Sequence, residues 1–156
     1  MLGITNRASR LFLDILNGET GLSAGALDAD AEPMSAVRAG HVSADIAERS
    51  PIRYPVAYLY VEKLANSMAE KFRTFSGTAR LTLEVRVSQE RPDNIEPELL
   101  SRVENVLHVL NTHRGDWGYG VFFGGRYEVT FTPVKAGGKG FMQTARIGID
   151  VNVSID

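Results

Sequence analysis

Thr78-Ala79-Arg80-Leu81-Thr82-Leu83-Glu84-Val85-Arg86-Val87 alternates without a break: Ala79, Leu81, Leu83, Val85 and Val87 fall on one side, Thr78, Arg80, Thr82, Glu84 and Arg86 on the other. A period of two is the pattern of a β-strand with one buried and one polar face. The polar segment Ser88-Gln89-Glu90-Arg91-Pro92-Asp93-Asn94 follows, and then Ile95, Leu99, Val103, Val106, Leu107 and Leu110 recur at spacings of three and four. That is the apolar stripe of an amphipathic helix. A one-sided strand and a one-sided helix cover each other, so this strand, turn and helix form the expected core. Asn94 is the expected N-cap, with Pro97 in the first turn, where its missing N–H costs nothing.

Upstream, Ala8, Leu11, Phe12, Ile15 and Leu16 give a first helix an apolar face, with Thr5 or Asn6 as cap and Gly18 as terminator. Residues 18–50 change character: small, acidic and dotted with glycine, they show no sustained period. This stretch reads either as a surface excursion or as an arm docking on a neighbouring subunit. Within it, residues 43–49 have the makings of one or two helical turns. Residues 54–62 read as a strand with two apolar faces, beginning at Pro55 and carrying Tyr54, Tyr58 and Tyr60 on one side. Those tyrosines are expected either to pack with their hydroxyls at the sheet rim or to line a subunit interface. A short helical turn is expected at 67–72.

Downstream, residues 125–133 and 144–155 alternate and flank the connection 134–143, which predicts a long β-hairpin tipped by Gly137-Gly138-Lys139-Gly140. The glycine- and aromatic-rich segment 115–125 carries Trp117, the only tryptophan, and is expected to supply buried anchors under a loop or an intersubunit patch. The fold class that results is α+β: a small twisted mixed or antiparallel sheet of about four strands, two helices packed on one face, and a long hairpin. The chain of 156 residues reads as one domain, with 18–50 as a variable arm or loop and 54–156 as the core.

Composition narrows the function classes. With no cysteine, disulfides, thiolate metal sites and thiol nucleophiles are excluded. A net charge of −2 argues against a general nucleic-acid binder. No apolar run approaches the ~20 residues of a membrane span, and the first residues lack the order of a signal peptide, so a soluble, unprocessed, intracellular-type protein is expected. Gly137-Gly138-Lys139-Gly140 does not fit a phosphate loop: a glycine follows the lysine, and strands rather than a strand and a helix flank it. His41, His108 and His113 have no metal-ligand spacing. Asp93, Glu96 and Glu98 crowd a helix start, where the dipole favours carboxylates for structural reasons. No nucleophile motif appears. No catalytic residue, cofactor or metal is therefore expected.

With the elements placed, the region from Tyr54 onward resembles the tail-terminator, or tail-completion, proteins of long-tailed bacteriophages and related prophages. The residues that carry the resemblance are Phe75-Ser76-Gly77-Thr78-Ala79-Arg80-Leu81-Thr82-Leu83-Glu84-Val85, the helix after them, and the hairpin with Gly137-Gly138-Lys139-Gly140-Phe141, which looks like the glycine-tipped hairpin of phage neck proteins. The stretch 18–50 is longer than the resemblance requires. The resemblance implies a non-enzymatic virion protein of the neck, assembled in the host cytoplasm. It implies a ring, typically hexameric, that caps the tail tube and joins it to the head connector. It implies as partners further copies of the chain, the tail-tube protein and the connector or stopper protein, with DNA passing through the lumen unread and no membrane involved. A modest negative charge suits that passage, since a basic lumen would hold phosphate. The expected contact residues are Arg80, Glu84 and Arg86 on the polar strand face, read as a solvated mixed face, a subunit contact or a pore lining, and Lys135, Lys139, Phe141 and Met142 at the hairpin tip. The alternatives left open are a head-completion or stopper protein, a small α+β ligand-binding domain or enzyme, and an RNA-binding module; the last is disfavoured because the alternating strand exposes no aromatic side chain.

Overall fold

Fifteen consecutive residues, Phe75–Gln89, form the central strand β3, longer at both ends than the alternating core that predicts it. In this computed structural model the structure describes residues 3–22, 37–40, 54–137 and 140–156. The other strands are β1 (Arg38–Ala39), β2 (Val56–Ala65), β4 (Gly115–Gly118), β5 (Val121–Phe123), β6 (Tyr127–Phe131), β7 (Lys135–Gly137) and β8 (Gly140–Ile155), and the helices are α1 (Arg7–Asn17) and α2 (Ile95–Thr112). The strands form one mixed sheet of order β1-β2-β3-β8-β5-β4, with β6 and β7 also paired to β8. Only the β1–β2 pair is parallel. The architecture is α+β as expected, with more strands than the four that alternation alone marks.

β8 is the spine. One edge pairs with β3 over its whole length, from Phe75 opposite Ile155 to Gln89 opposite Phe141. The other edge takes β5, β6 and β7 in turn. The stretch 134–143, expected as a loose connection, is therefore largely strand: Lys135 lies opposite Met142 and Gly137 opposite Gly140. The segment 115–125, expected as anchors under a loop or an intersubunit patch, contains the β4–β5 hairpin. Its turn needs glycine at position 120, where φ is +82° and a Cβ would lie 2.0 Å from the Ser154 carbonyl oxygen. The helical turn expected at 67–72 is instead a non-helical loop between β2 and β3.

A single apolar cluster joins both helices to the odd face of β3 and the matching face of β8. Ala8, Phe12 and Leu16 of α1 and Ile95, Leu99, Val103, Val106, Val109 and Leu110 of α2 are buried in it. Thus both helices lie on the same side of the sheet, and the expected stripe of α2 is confirmed with Val109 added and Leu107 only half-buried. Trp117 is only half-buried, packed against the rim of this cluster: its ring stacks on Phe12 at 5.5 Å, sits 5.5 Å from Phe123, and its indole N–H donates to the His113 carbonyl at 2.7 Å.

Of the arm over 18–50, only 18–22 and 37–40 are described, and both of these pieces are tied to this chain's own core. Asn17 bonds both ways with the Val37 backbone, at 3.1 and 2.9 Å. Asn105 of α2 donates to the Leu22 carbonyl at 3.1 Å. The helical turns anticipated over 43–49, and His41, lie outside the described residues.

Candidate functional site

The even residues of β3 face away from the helices, and cross-strand register decides what surrounds them. Glu84 lies opposite Tyr58 of β2 and Arg146 of β8; Arg86 lies opposite Val56 and Thr144; Arg80 lies opposite Lys63 and Asp150. The expectation of a solvated face fails for two of the three. Glu84 is 2% exposed and Arg86 4%. Glu84 Oε2 accepts from Arg86 Nη2 at 2.8 Å, and its Oε1 accepts from Arg146 Nε at 3.0 Å and from the Tyr60 hydroxyl at 3.1 Å. The Arg86 guanidinium also lies 4.9 Å from the centre of the Tyr58 ring, a cation–π contact. The physical reason for the burial is that long side chains from β2 and β8 lie flat over the middle strand and satisfy its charges.

The titration of this cluster follows from its contacts. Burial pushes the Glu84 carboxyl up, but hydrogen bonds from Arg86 and Arg146, the Arg86 charge and the Tyr60 hydroxyl outweigh it, and the net shift is downward. Tyr60 is pushed up to about 12, first by burial and then by the charge and hydrogen bond of Glu84. At neutral pH the carboxylate is charged and the phenol is neutral.

Arg80 belongs to a second cluster one step along the strand. It donates to Asp150 Oδ2 at 3.1 Å, bonds Glu128 of β6, and lies 3.7 Å from Glu62, whose carboxylate also accepts from Thr82 at 2.8 Å. Its guanidinium lies over Gly148, where a Cβ would come within 2.3 Å of Nη2. Between Tyr60, Glu62, Arg80, Glu128 and Arg146 is a shallow cavity of about 260 Å³. Its walls are charges already paired with one another, and no acid, base and nucleophile converge there. Among the described residues no group of acidic or histidine side chains is arranged to hold a metal. His113 is engaged structurally, with Nδ1 2.8 Å from the Val109 carbonyl oxygen and Nε2 3.0 Å from the Thr20 hydroxyl. Glu98 at the start of α2 serves Gln89 and Arg102. No described helix is long and apolar enough to cross a membrane.

The hairpin residues are not gathered into one exposed tip. Lys135 is exposed, but Met142 is 2% exposed and Phe141 packs against the apolar cluster. The reason is that the β7–β8 ladder carries residues 141 and 142 back into the sheet. Lys139 lies outside the described residues.

Phe131 and Val134 of the hairpin are partly exposed, but the most exposed apolar side chains sit elsewhere. The loop 66–74 presents Met68 and Phe72, the latter 85% exposed, and the β4–β5 hairpin presents Tyr119 and Phe122, with Tyr119 74% exposed. These belong to the same end of the sheet: β3 starts there opposite the end of β8, and Ser154 N–H donates to Gly120 O at 2.8 Å. Arg73 in the loop reaches Ser154 and lies 3.5 Å from Asp156. Sequence reasoning held 115–125, with Tyr119 and Phe122, as either buried anchors or an intersubunit patch, but missed the loop because Phe72 belongs to no periodic segment. The signal available was an aromatic residue flanked by Lys71 and Arg73, or by glycines, with no apolar partner at strand or helix spacing.

No protein-family model and no curated protein matches the chain. Among solved structures, it is similar to the sheath/tube terminator of an extracellular contractile injection system, PVC, in its extended state. The TM-score is 0.40 and the identity 11%, over all of this chain and 58% of that one. A superposition this loose does not establish a shared fold.

Proposed function

We propose that this chain is a non-enzymatic, tail-terminator-like structural protein that assembles with copies of itself on the end of a tube. The observation that carries the reading is where the surface is sticky. The charged side chains at the centre of the sheet face are satisfied by their own ion pairs, whereas Met68 and Phe72 of one loop and Tyr119 and Phe122 of the β4–β5 hairpin are exposed at the same end of the sheet. Apolar and aromatic side chains clustered on a surface fit protein docking. The order of elements from Tyr54 onward supports the same reading through its resemblance to tail-terminator proteins. In its finer form, the assembly is a hexameric ring at a phage neck, in contact with the tail-tube protein and a head connector, and DNA crosses its lumen without being read.

The test is the double substitution Phe72→Asp and Tyr119→Asp. Both side chains are exposed, so folding stability stays within about 0.5 kcal/mol of the parent. The expected result is an intact circular-dichroism spectrum with loss of the protein from tube ends in immunogold micrographs, and tubes of uncontrolled length. Tubes that terminate normally with the doubly substituted protein in place would sink the assigned role of this end.

A further inference from the structure

The sheet has two outer edges, and they fit each other. β6 pairs with β8 on one side, and no described strand pairs with its other side. That open edge lacks the usual protections: no proline, no lysine and no bulge interrupt the register from Tyr127 opposite Ile149 to Phe131 opposite Ala145. Phe131 is 46% exposed. At the other side of the sheet, β1 covers only Tyr58 and Leu59 of β2, and residues 61–65, paired to β3 on their inner side, have no described strand on their outer side.

Each open segment is five residues long, about 17 Å of strand. Their directions also match. β2, β3, β8 and β6 are joined by three successive antiparallel pairings, so β6 runs antiparallel to β2. A second copy placed beside the first with the same sheet face upward brings its β2 antiparallel against β6. The faces then agree. Val61 and Leu64 lie opposite Leu81 and Ala79, on the helix side, where they meet Tyr127, Val129 and Phe131. Lys63 lies opposite Arg80 on the charged side, where it meets Glu128 and Thr130. β2 carries two guards, Lys63 and a bulge between Val61 and Lys63. The lysine restricts the partner to a strand that offers an acid, which Glu128 does, and the bulge adds the local twist that a curved assembly needs.

We propose that the open edge of β6 in one copy pairs antiparallel with residues 61–65 of β2 in a second copy, extending the sheet from subunit to subunit. The contact is heterologous, so repeating it uses the β6 edge and residues 61–65 of every copy, and closure into a ring leaves neither of these two segments open. The closed ring rests on the assembly reading above; the edge pairing is read from the strands themselves.

The chain has no cysteine, so introduced thiols are unambiguous. Lys63→Cys, Thr130→Cys and the double variant are treated with a short bis-maleimide, which tolerates a one-step error in register, both as free protein and in assembled particles. Both positions are exposed on the charged face. The expected result is a ladder of dimer, trimer and higher species from the double variant and single monomer bands from each single variant. Dimers from Thr130→Cys alone would place β6 against β6 around a two-fold and overturn the proposal. No ladder in either preparation also overturns it, and assembled rings found without a ladder leave the assembly reading standing. A ladder from a protein absent from tube ends does the reverse, sustaining the edge pairing and ending the tube-end role.

Discussion

On the helix side of β3, Ala79, Leu81, Leu83 and Val85 are buried beneath α1 and α2; on the opposite side, Glu84 and Arg86 are buried almost as deeply under side chains of their own sheet. The two sides differ in how the loss of one member spreads. An apolar neighbour that loses a contact is left beside a cavity and can relax into part of it. A buried guanidinium that loses its carboxylate has no such remedy, because its desolvation is no longer offset.

The sharpest way to break the comparison is Glu84→Ala. It removes the carboxylate to which the buried Arg86 guanidinium donates, and the expected loss is about 3–5 kcal/mol in denaturant unfolding. Replacing both members of the pair, Glu84→Leu with Arg86→Met, should recover most of that loss, because no buried charge is then left uncompensated. If the double variant is as unstable as Glu84→Ala, the charged side is held by shape rather than by pairing. On the helix side, Leu83→Ala should cost about 3 kcal/mol through the cavity it leaves, and no second substitution on the charged side should rescue it.

Two titrations separate the sides further, since only one of them titrates. The folded-state pKa of Glu84 is depressed, so its stabilisation is present above the ordinary carboxylate value of about 4.3 and is lost as pH falls through the folded value. Thermal melts below pH 4 should therefore show a steeper decline for the parent than for the Glu84→Leu, Arg86→Met protein. Tyr60 has the opposite sign. Its folded-state pKa is raised from 10.0 to about 12, so its contribution is intact below pH 10 and declines as pH rises toward 12. Tyr60→Phe should cost only about 1 kcal/mol at neutral pH and should remove that alkaline decline. Arg146→Ala is the smallest expected effect, below about 1 kcal/mol, because its side chain is 54% exposed and its pair is partly solvated.

The alternation of residues 78–87 was enough to place the central strand, its buried face and the helix that covers it, because all three are written within one contiguous stretch. What alternation does not contain is the identity of the cross-strand neighbours. Glu84 reads as exposed until Arg146, 62 residues further along, and Tyr60 are set beside it by register. The tyrosines of β2 carried part of the message: Tyr58 and Tyr60 do share a face, with one hydroxyl bonded to Glu84 and one ring beneath Arg86. The β4–β5 hairpin was hidden because strands of three and four residues are too short to show a period, and its glycines read as turns. Residues 140–143 were hidden for a related reason: the glycine run at 137–140 reads as a loop, yet the ladder starts again at Gly140. At the exposed end, the glycines and aromatics of 115–125 left an intersubunit patch open as one reading, while Phe72 showed only its flanking charges, because it lies in no periodic segment.

β8 also sets the order in which the molecule can be built. It is the common partner of β3, β5, β6 and β7, and it comes after all of them in the chain. During synthesis, β2 can pair with β3 and β4 with β5 as soon as each pair has emerged, but β6 and β7 have no ladder to join until residues 140–155 are made. The β3–β8 ladder, which joins Gln89 to Phe141 and Phe75 to Ile155, links the more distant parts of the chain and closes slowly. Until it closes, the inner edges of β3 and β6 stand open together, at the stage when nascent chains are most prone to pair with one another. The strand that holds the finished sheet together is thus also the one whose late arrival governs how much of it survives to be finished.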